Sequence, residues 1–130
     1  MIPSHITLQS ELNEWEERNI RDARIWAFSR KRRDLLSEKF IVRLHEKMFK
    51  DTWKWAGQFR KTNKNLGAPW YRISQDVRNL CDDARYWIAN GTYPEVELAV
   101  RFHHRLVLIH PFPNGNGRHG RLMADLIMSQ

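Results

Sequence analysis

The sequence predicts an all-α fold: a mainly helical bundle with one short β-hairpin flap at about 60–70. Three observations lead there. Apolar residues recur at helical spacing along five stretches. One stretch, 51–73, loses that period and gathers Gly57, Asn63, Asn65, Gly67 and Pro69 among aromatic side chains. With 130 residues, the chain fits one domain, 1–130, able to bury most of its apolar surface but too short for two cores.

The first helical pattern covers about 11–36, where Leu12, Trp15, Asn19, Trp26 and Leu36 recur irregularly, so a long helix that bends or breaks is expected. Ser37 then stands in the N-cap position of a second helix with Phe40, Ile41, Leu44 and Met48 on one side. After the flap, a third helix is expected over about 74–89, stopped by Asn90-Gly91. Pro94 opens a fourth, with Glu95 and Glu97 in the first turn, where the helix dipole favours negative charge. Leu98, Phe102, Leu106 and Ile109 form its apolar stripe, and Ala99, Val100, Val107 and Leu108 widen it. So little polar circumference is left that this helix is expected at the centre of the bundle. The fifth begins near Gly117 and is still apolar and helical at "LMADLIM" shortly before Gln130, which leaves open a longer natural chain.

The net charge of +7 and a pI near 10 favour an anionic partner. The cluster "RKRRD" (Arg30 to Asp34) reads as a solvated helix face rather than a phosphate contact, because no aromatic residues interleave it. The single cysteine, Cys81, shares a helix side with Val77, Ala84 and Ile88 and reads as core. No membrane span and no secretory leader are visible, and a reducing, cytoplasmic setting is the expectation. His103 and His104 point about 100° apart, and His45-Glu46 lacks a second zinc-binding histidine, so no structural metal is assigned.

The stretch "HPFPNGNGRHGR", 110–121, joins the fourth and fifth helices. Gly115 and Gly117 are expected to take positive φ and turn backbone amides inward, making an anion nest ahead of a helix N-terminus. Arg118 and Arg121 share a helix face as permanently charged forks, at an end where the dipole disfavours cations unless an anion compensates. Phosphate is the expected guest. His110, neutral near pH 7 at the lip of the nest, has the chemistry to take a proton from an attacking hydroxyl. A histidine that merely ends a helix before a glycine-rich turn fits the same residues. Phe112 is expected to point back into the core, and His119 is given no catalytic role.

This stretch resembles the signature of Fic-domain proteins, H-P-F-x-(D/E)-G-N-G-R-x-x-R. His110, Pro111, Phe112, Gly115, Asn116, Gly117, Arg118 and Arg121 stand where that pattern needs them. The order of helices and the flap after "WAGQFR" extend the likeness over nearly the whole chain, and it is greatest to the small bacterial members of the mobile mystery protein B type. The resemblance implies a protein adenylyltransferase that moves AMP from ATP to a hydroxyl of a target protein docked on the flap by strand addition. It implies that His110 is the general base, that Asn116 and the amides of Gly115 to Gly117 hold the phosphates, and that Arg118 with Arg121 hold the distal charge. The same resemblance implies nucleotidyl transfer over phosphorylation, since kinase-like relatives carry a different run where this chain has "GNGR".

The family's acidic ligand of Mg²⁺ is replaced by Asn114. Weaker metal binding is expected, with the Asn114 amide oxygen as a weak donor and ATP supplying most ligands. "TLQSELN" resembles the family's inhibitory (S/T)-x-x-x-E-(G/N) motif, with Thr7 and Glu11 in place and Leu12 where Gly or Asn is usual. That resemblance implies that Glu11 pairs with Arg121. As an ordinary helix start, the same residues make Thr7 a cap and Glu11 a surface acid. Two alternatives stand beside the transferase: a nucleotide-binding pseudo-enzyme, and a basic nucleic-acid-binding module using the "RKRRD" cluster.

Overall fold

The structure, a computed structural model, describes residues 5–29, 31 and 34–130, with side chains from 11 and 13 onward in that set. Five helices follow one another: α1 (His5–Phe28), α2 (Glu38–Phe49), α3 (Ile73–Asn90), α4 (Glu95–Ile109) and α5 (Asn116–Ser129). The first starts earlier and ends sooner than the sequence pattern suggests. Thr7 lies inside it rather than capping it, and the Thr7 and Leu12 side chains are outside the described residues. The Ser29 hydroxyl ends it by donating to Trp26 O at 2.7 Å. Asn19, Ala23 and Ala27, at four-residue spacing, bury a narrow small-residue stripe toward the bundle. Of the basic cluster, Arg30, Arg32 and Arg33 lie outside the described residues.

Ser37 caps α2 as expected, its extended backbone (φ −144°) letting Oγ accept from Phe40 N at 3.1 Å. Gly91, at φ 59°, stops α3, and Cys81 is core, its thiol pushed up to about 11 by burial. The expected centre is corrected. α4 buries only Leu98, Ala99, Phe102, Leu106 and Ile109, while Val96, Val100 and Leu108 are each more than half exposed. The central helix is α5, with Asn116, His119, Gly120, Leu122, Met123, Ala124, Leu126 and Ile127 buried. Gly120 explains how it fits there: a Cβ would meet His103 Cδ2 at 2.8 Å and Val107 Cγ2 at 3.1 Å, so the two helices approach closely. A small bundle has too few elements to cover every apolar side of two helices.

The 60–70 segment is also not a hairpin: no strand occurs among the described residues. Its backbone pairs with the loop after α4 rather than with itself. Arg60 N donates to Pro111 O at 2.9 Å and Ala68 N to Ile109 O at 3.1 Å. The carbonyls of Thr62 and Ala68 are taken by the Arg60 guanidinium. Trp70 N donates to Asn63 Oδ1 at 2.9 Å, and a single 3₁₀ turn, Trp70–Arg72, leads into α3.

Candidate active site

Pro111 disfavours helical backbone at the residue before it, so α4 ends at Ile109. His110 takes the left-handed conformation (φ 53°, ψ 60°), with its N–H on Leu106 O at 3.2 Å. Outside glycine that geometry costs roughly 1 kcal/mol or more and persists only where neighbours enforce it. Here Arg60 Nε donates to His110 O at 2.6 Å and Nη2 to Ile109 O at 3.2 Å. Gly67 (φ 93°) lies against the same residue, where a Cβ would come within 2.7 Å of His110 Cβ.

Under the loop, Phe112 is fully buried and stacks on His45, ring centroids 3.7 Å apart. His45 Nδ1 accepts from Gly57 N at 2.9 Å, which leaves the proton on Nε2 to donate to Asn114 O at 2.9 Å. One neutral ring thus ties the tryptophan-rich segment to the motif loop, and desolvation lowers its pKa to about 4. His119, wholly buried, reaches Ile41 O at 2.9 Å, and burial lowers its pKa to about 3. Gly115 (φ 78°) has positive φ as expected; a Cβ there would meet Phe49 Cζ at 2.5 Å. Gly117 is helical instead, with open space where a Cβ would stand. Its bareness keeps the mouth of α5 accessible.

The side chain of Asn116 is spent on the loop. Its Oδ1 accepts from Phe112 N at 2.9 Å and its Nδ2 donates to Phe112 O at 2.8 Å. Its backbone N–H remains for an anion. The first intrahelical bond runs from His119 N to Gly115 O at 3.0 Å. The amides of Asn116, Gly117 and Arg118 therefore precede the hydrogen-bonded ladder and point out of the helix end. They face an open cleft of about 560 Å³ lined by His110, Pro113 to Arg118, Leu66 and Val107.

His110 is half-buried in that cleft, and desolvation, then Arg60, then Lys64 hold its pKa below the ordinary imidazole value. It is neutral at pH 7. Arg118 stands at the far lip, 5.4 Å above the Phe49 ring, with Nη2 3.4 Å from Glu16 Oε2. Glu16, largely buried, also accepts from Trp53 Nε1 at 3.1 Å. Arg121 lies outside the cleft lining and pairs with Asp125 at 3.7 Å. Glu11 is exposed on α1, and among the described residues no ion pair joins it to Arg121. The structure therefore gathers His110, Asn114, Gly115, Asn116, Gly117 and Arg118, but not Arg121 or Glu11. Sequence reasoning gave no site role to Arg60, Glu16 or His45. A histidine on the apolar face of α2 must find two partners, and that was the available signal for His45; Arg60 and Glu16 carry no comparable mark.

The sequence profile of the Fic/DOC family matches residues 35–128. The chain belongs to the Fic/DOC family. Its Fic region is similar to the protein adenylyltransferase fic-1 of Caenorhabditis elegans, 35% identical over 81 residues, covering 56% of this chain and 15% of that protein. It is also similar to a probable protein adenylyltransferase of Aquifex aeolicus, 28% identical over 114 residues, covering 80% of this chain and 34% of the relative. The chain thus spans a minor part of the curated relatives it matches. Among solved structures, a Fic family protein from Desulfovibrio desulfuricans superposes with TM-score 0.69 at 24% identity, over 98% of this chain and 38% of the other. The fold is thereby the Fic fold. A Fic-1 fragment from C. elegans also gives TM-score 0.69, at 27% identity over 88% of this chain and 37% of that one.

Proposed function

We propose that this Fic domain transfers AMP from ATP to a hydroxyl of a target protein. The observation that carries the reading is an imidazole, His110, fixed in the same cleft as amides at the head of α5 that have no partner among the described residues. The relatives named as protein adenylyltransferases support it. In this reading the amides of Asn116 to Arg118 and the Arg118 guanidinium bind the phosphates. His110 takes the proton of the target hydroxyl as its oxygen bonds to the α-phosphorus. The bond from that phosphorus to the bridging oxygen breaks, and pyrophosphate leaves with the electron pair. The segment at 60–70 is where the target docks, and Arg121 would swing from Asp125 toward the distal phosphates.

Among the described residues the cleft lining offers a metal one uncommitted side-chain oxygen, that of exposed Asn114, and no carboxylate, the Asn116 oxygen being held by Phe112 N. Among the described residues no group of three His, Cys, Asp or Glu side chains could hold an ion. This donor set fits Mg²⁺ carried in on the nucleotide's own oxygens, where it would neutralise phosphate charge. Asn114→Asp is expected to lower the Mg²⁺ concentration giving half-maximal transfer by about tenfold, since a carboxylate adds charge to the donor set; coincident metal titrations would remove position 114 from the metal.

Restraint by an α1 carboxylate belongs to the same proposal. Glu11 is the candidate from the family pattern; Glu16 is the acid that contacts a motif arginine here. The replacement at Asn114 favours one second reading, ATP binding without transfer. Incubation with α-labelled ATP and a cell lysate separates them: label on protein supports transfer, whereas ATP binding with no labelled protein overturns it.

A further inference from the structure

One buried cation beside the cleft has no acid partner among the described residues. Arg60 is 3% exposed, and each partner of its guanidinium is a backbone carbonyl: His110, Ile109, Ala68 and Thr62. Burying a guanidinium opposite neutral oxygens carries a desolvation cost that its hydrogen bonds must offset. An apolar side chain would fill the space more favourably if packing were all that was required. The carbonyls it holds are not scattered. Ile109 is the last residue of α4 and His110 its C-cap, where the dipole and oxygens without intrahelical partners welcome a cation. With its own N–H on Pro111 O at 2.9 Å, Arg60 grips three consecutive residues around His110. Gly67 closes the other side, against His110 Cβ.

We propose that Arg60 is the positioning residue of His110, locking its left-handed backbone so that the imidazole stays in the cleft opposite the α5 amides while tying the 60–70 segment to the same three residues. The inference rests on His110 being the base. It makes one side chain responsible for two geometries, that of the base and that of the segment on which a hydroxyl arrives.

The charge also acts on the ring. Arg60 and Lys64, both from the 60–70 segment, disfavour the imidazolium. Arg118 of α5 lines the same cleft, with Glu16 of α1 behind it. On α4 the arginines are engaged elsewhere, Arg101 with Glu97 and Arg105 with Asp83, Glu95 stands at the far end of the helix, and His103 faces Arg121 and Asp125 of α5. Arg60→Gln removes the cation and the fork together; Arg60→Lys keeps the cation and loses the fork.

Three readouts test this on each variant: the His110 ring titration by NMR; ATP affinity; and the pH profile of labelled AMP transfer. In Arg60→Gln the His110 midpoint and the acid limb of the rate profile should both move up by about half a pH unit or more, with ATP affinity within about twofold. In Arg60→Lys the midpoint should hold while kcat falls about 10- to 100-fold. A folded Arg60→Lys with wild-type kcat overturns the proposal, as does a folded Arg60→Gln whose His110 titration is unchanged. If Arg60→Gln does not fold, the kcat of Arg60→Lys at constant ATP affinity decides. If the wild type transfers no AMP, the adenylyltransferase reading falls, and the His110 titration of Arg60→Gln still judges Arg60.

Discussion

The His110 side of the cleft and the arginine side differ in how their charges are held. His110 stands in an uncommon backbone conformation, fixed by a buried guanidinium and underlain by the packed rings of Phe112, His45 and His119. Arg118 and Arg121 are half or more exposed and rest on carboxylates at 3.4 and 3.7 Å. Pairs of that exposure contribute about 0–1 kcal/mol and exchange easily. In the proposed reaction the base is therefore set before substrate arrives, whereas the phosphate side is parked on acids that an incoming anion would displace. On that reading rigidity sits where proton transfer would need geometry, and looseness where a highly charged ligand would enter and leave.

The largest expected break in this contrast is His110→Ala. Transfer should fall by about 10²- to 10⁴-fold with ATP affinity within a few-fold, because the amides of α5 are untouched. Equal losses in kcat and nucleotide binding would mean that His110 holds ATP instead. Next comes Phe112→Ala beneath the loop, expected to cost about 3–5 kcal/mol of stability by denaturant melts; a loss below 1 kcal/mol would show the loop to be held by Asn116 and Arg60 alone.

Acid should also strike the two sides unequally. His45 and His119 have depressed pKa values in the folded protein, about 4 and about 3. The unfolded chain takes up protons below about 6.5, which the folded protein refuses until far lower pH. Their stabilising effect is present above pH 6.5 and is lost as pH falls toward 4. From pH 7 to 5 the loss should be about 1–2 kcal/mol per ring. Denaturant midpoints that stay flat over that range would show that protonation reaches these rings in the folded state. The smallest effect is at the other lip. Glu16→Gln should raise ATP affinity about two- to fivefold by freeing Arg118, while Glu11→Gly should leave it unchanged. Calorimetric titration of both variants assigns the restraint, and a gain in Glu11→Gly alone would return it to Glu11.

Four of the five helices were legible because caps and stops are local: Ser37, Gly91 and Pro111 each act within a turn of themselves. The centre was misplaced because apolar residues all around α4 say only that it lacks polar cover, not that neighbours exist to bury it. The hairpin was misread for a related reason. Turn residues at 57–69 forecast chain reversal, but the backbone's partner, the loop at 109–111, is fixed by Arg60 from about fifty residues away. The cleft itself was readable from 110–118. The acid that faces its arginine was not, because Glu16 is one of several acids on α1 and only tertiary packing selects it.

The bidentate clasp of Asn116 on Phe112 bears on what a sequence signature records. Of the motif positions, Pro111, Phe112, Gly115 and Asn116 are accounted for here by the course of the backbone, a filled hole or a clasp. A descendant that had lost its chemistry would still be under pressure to retain these four simply to fold its loop. Matching those four letters is thus inheritance of a shape, and in the proposed reaction it is His110, Gly117 and the arginines whose presence bears on catalysis. Surveys that weight all matched letters equally would count silent descendants as active ones.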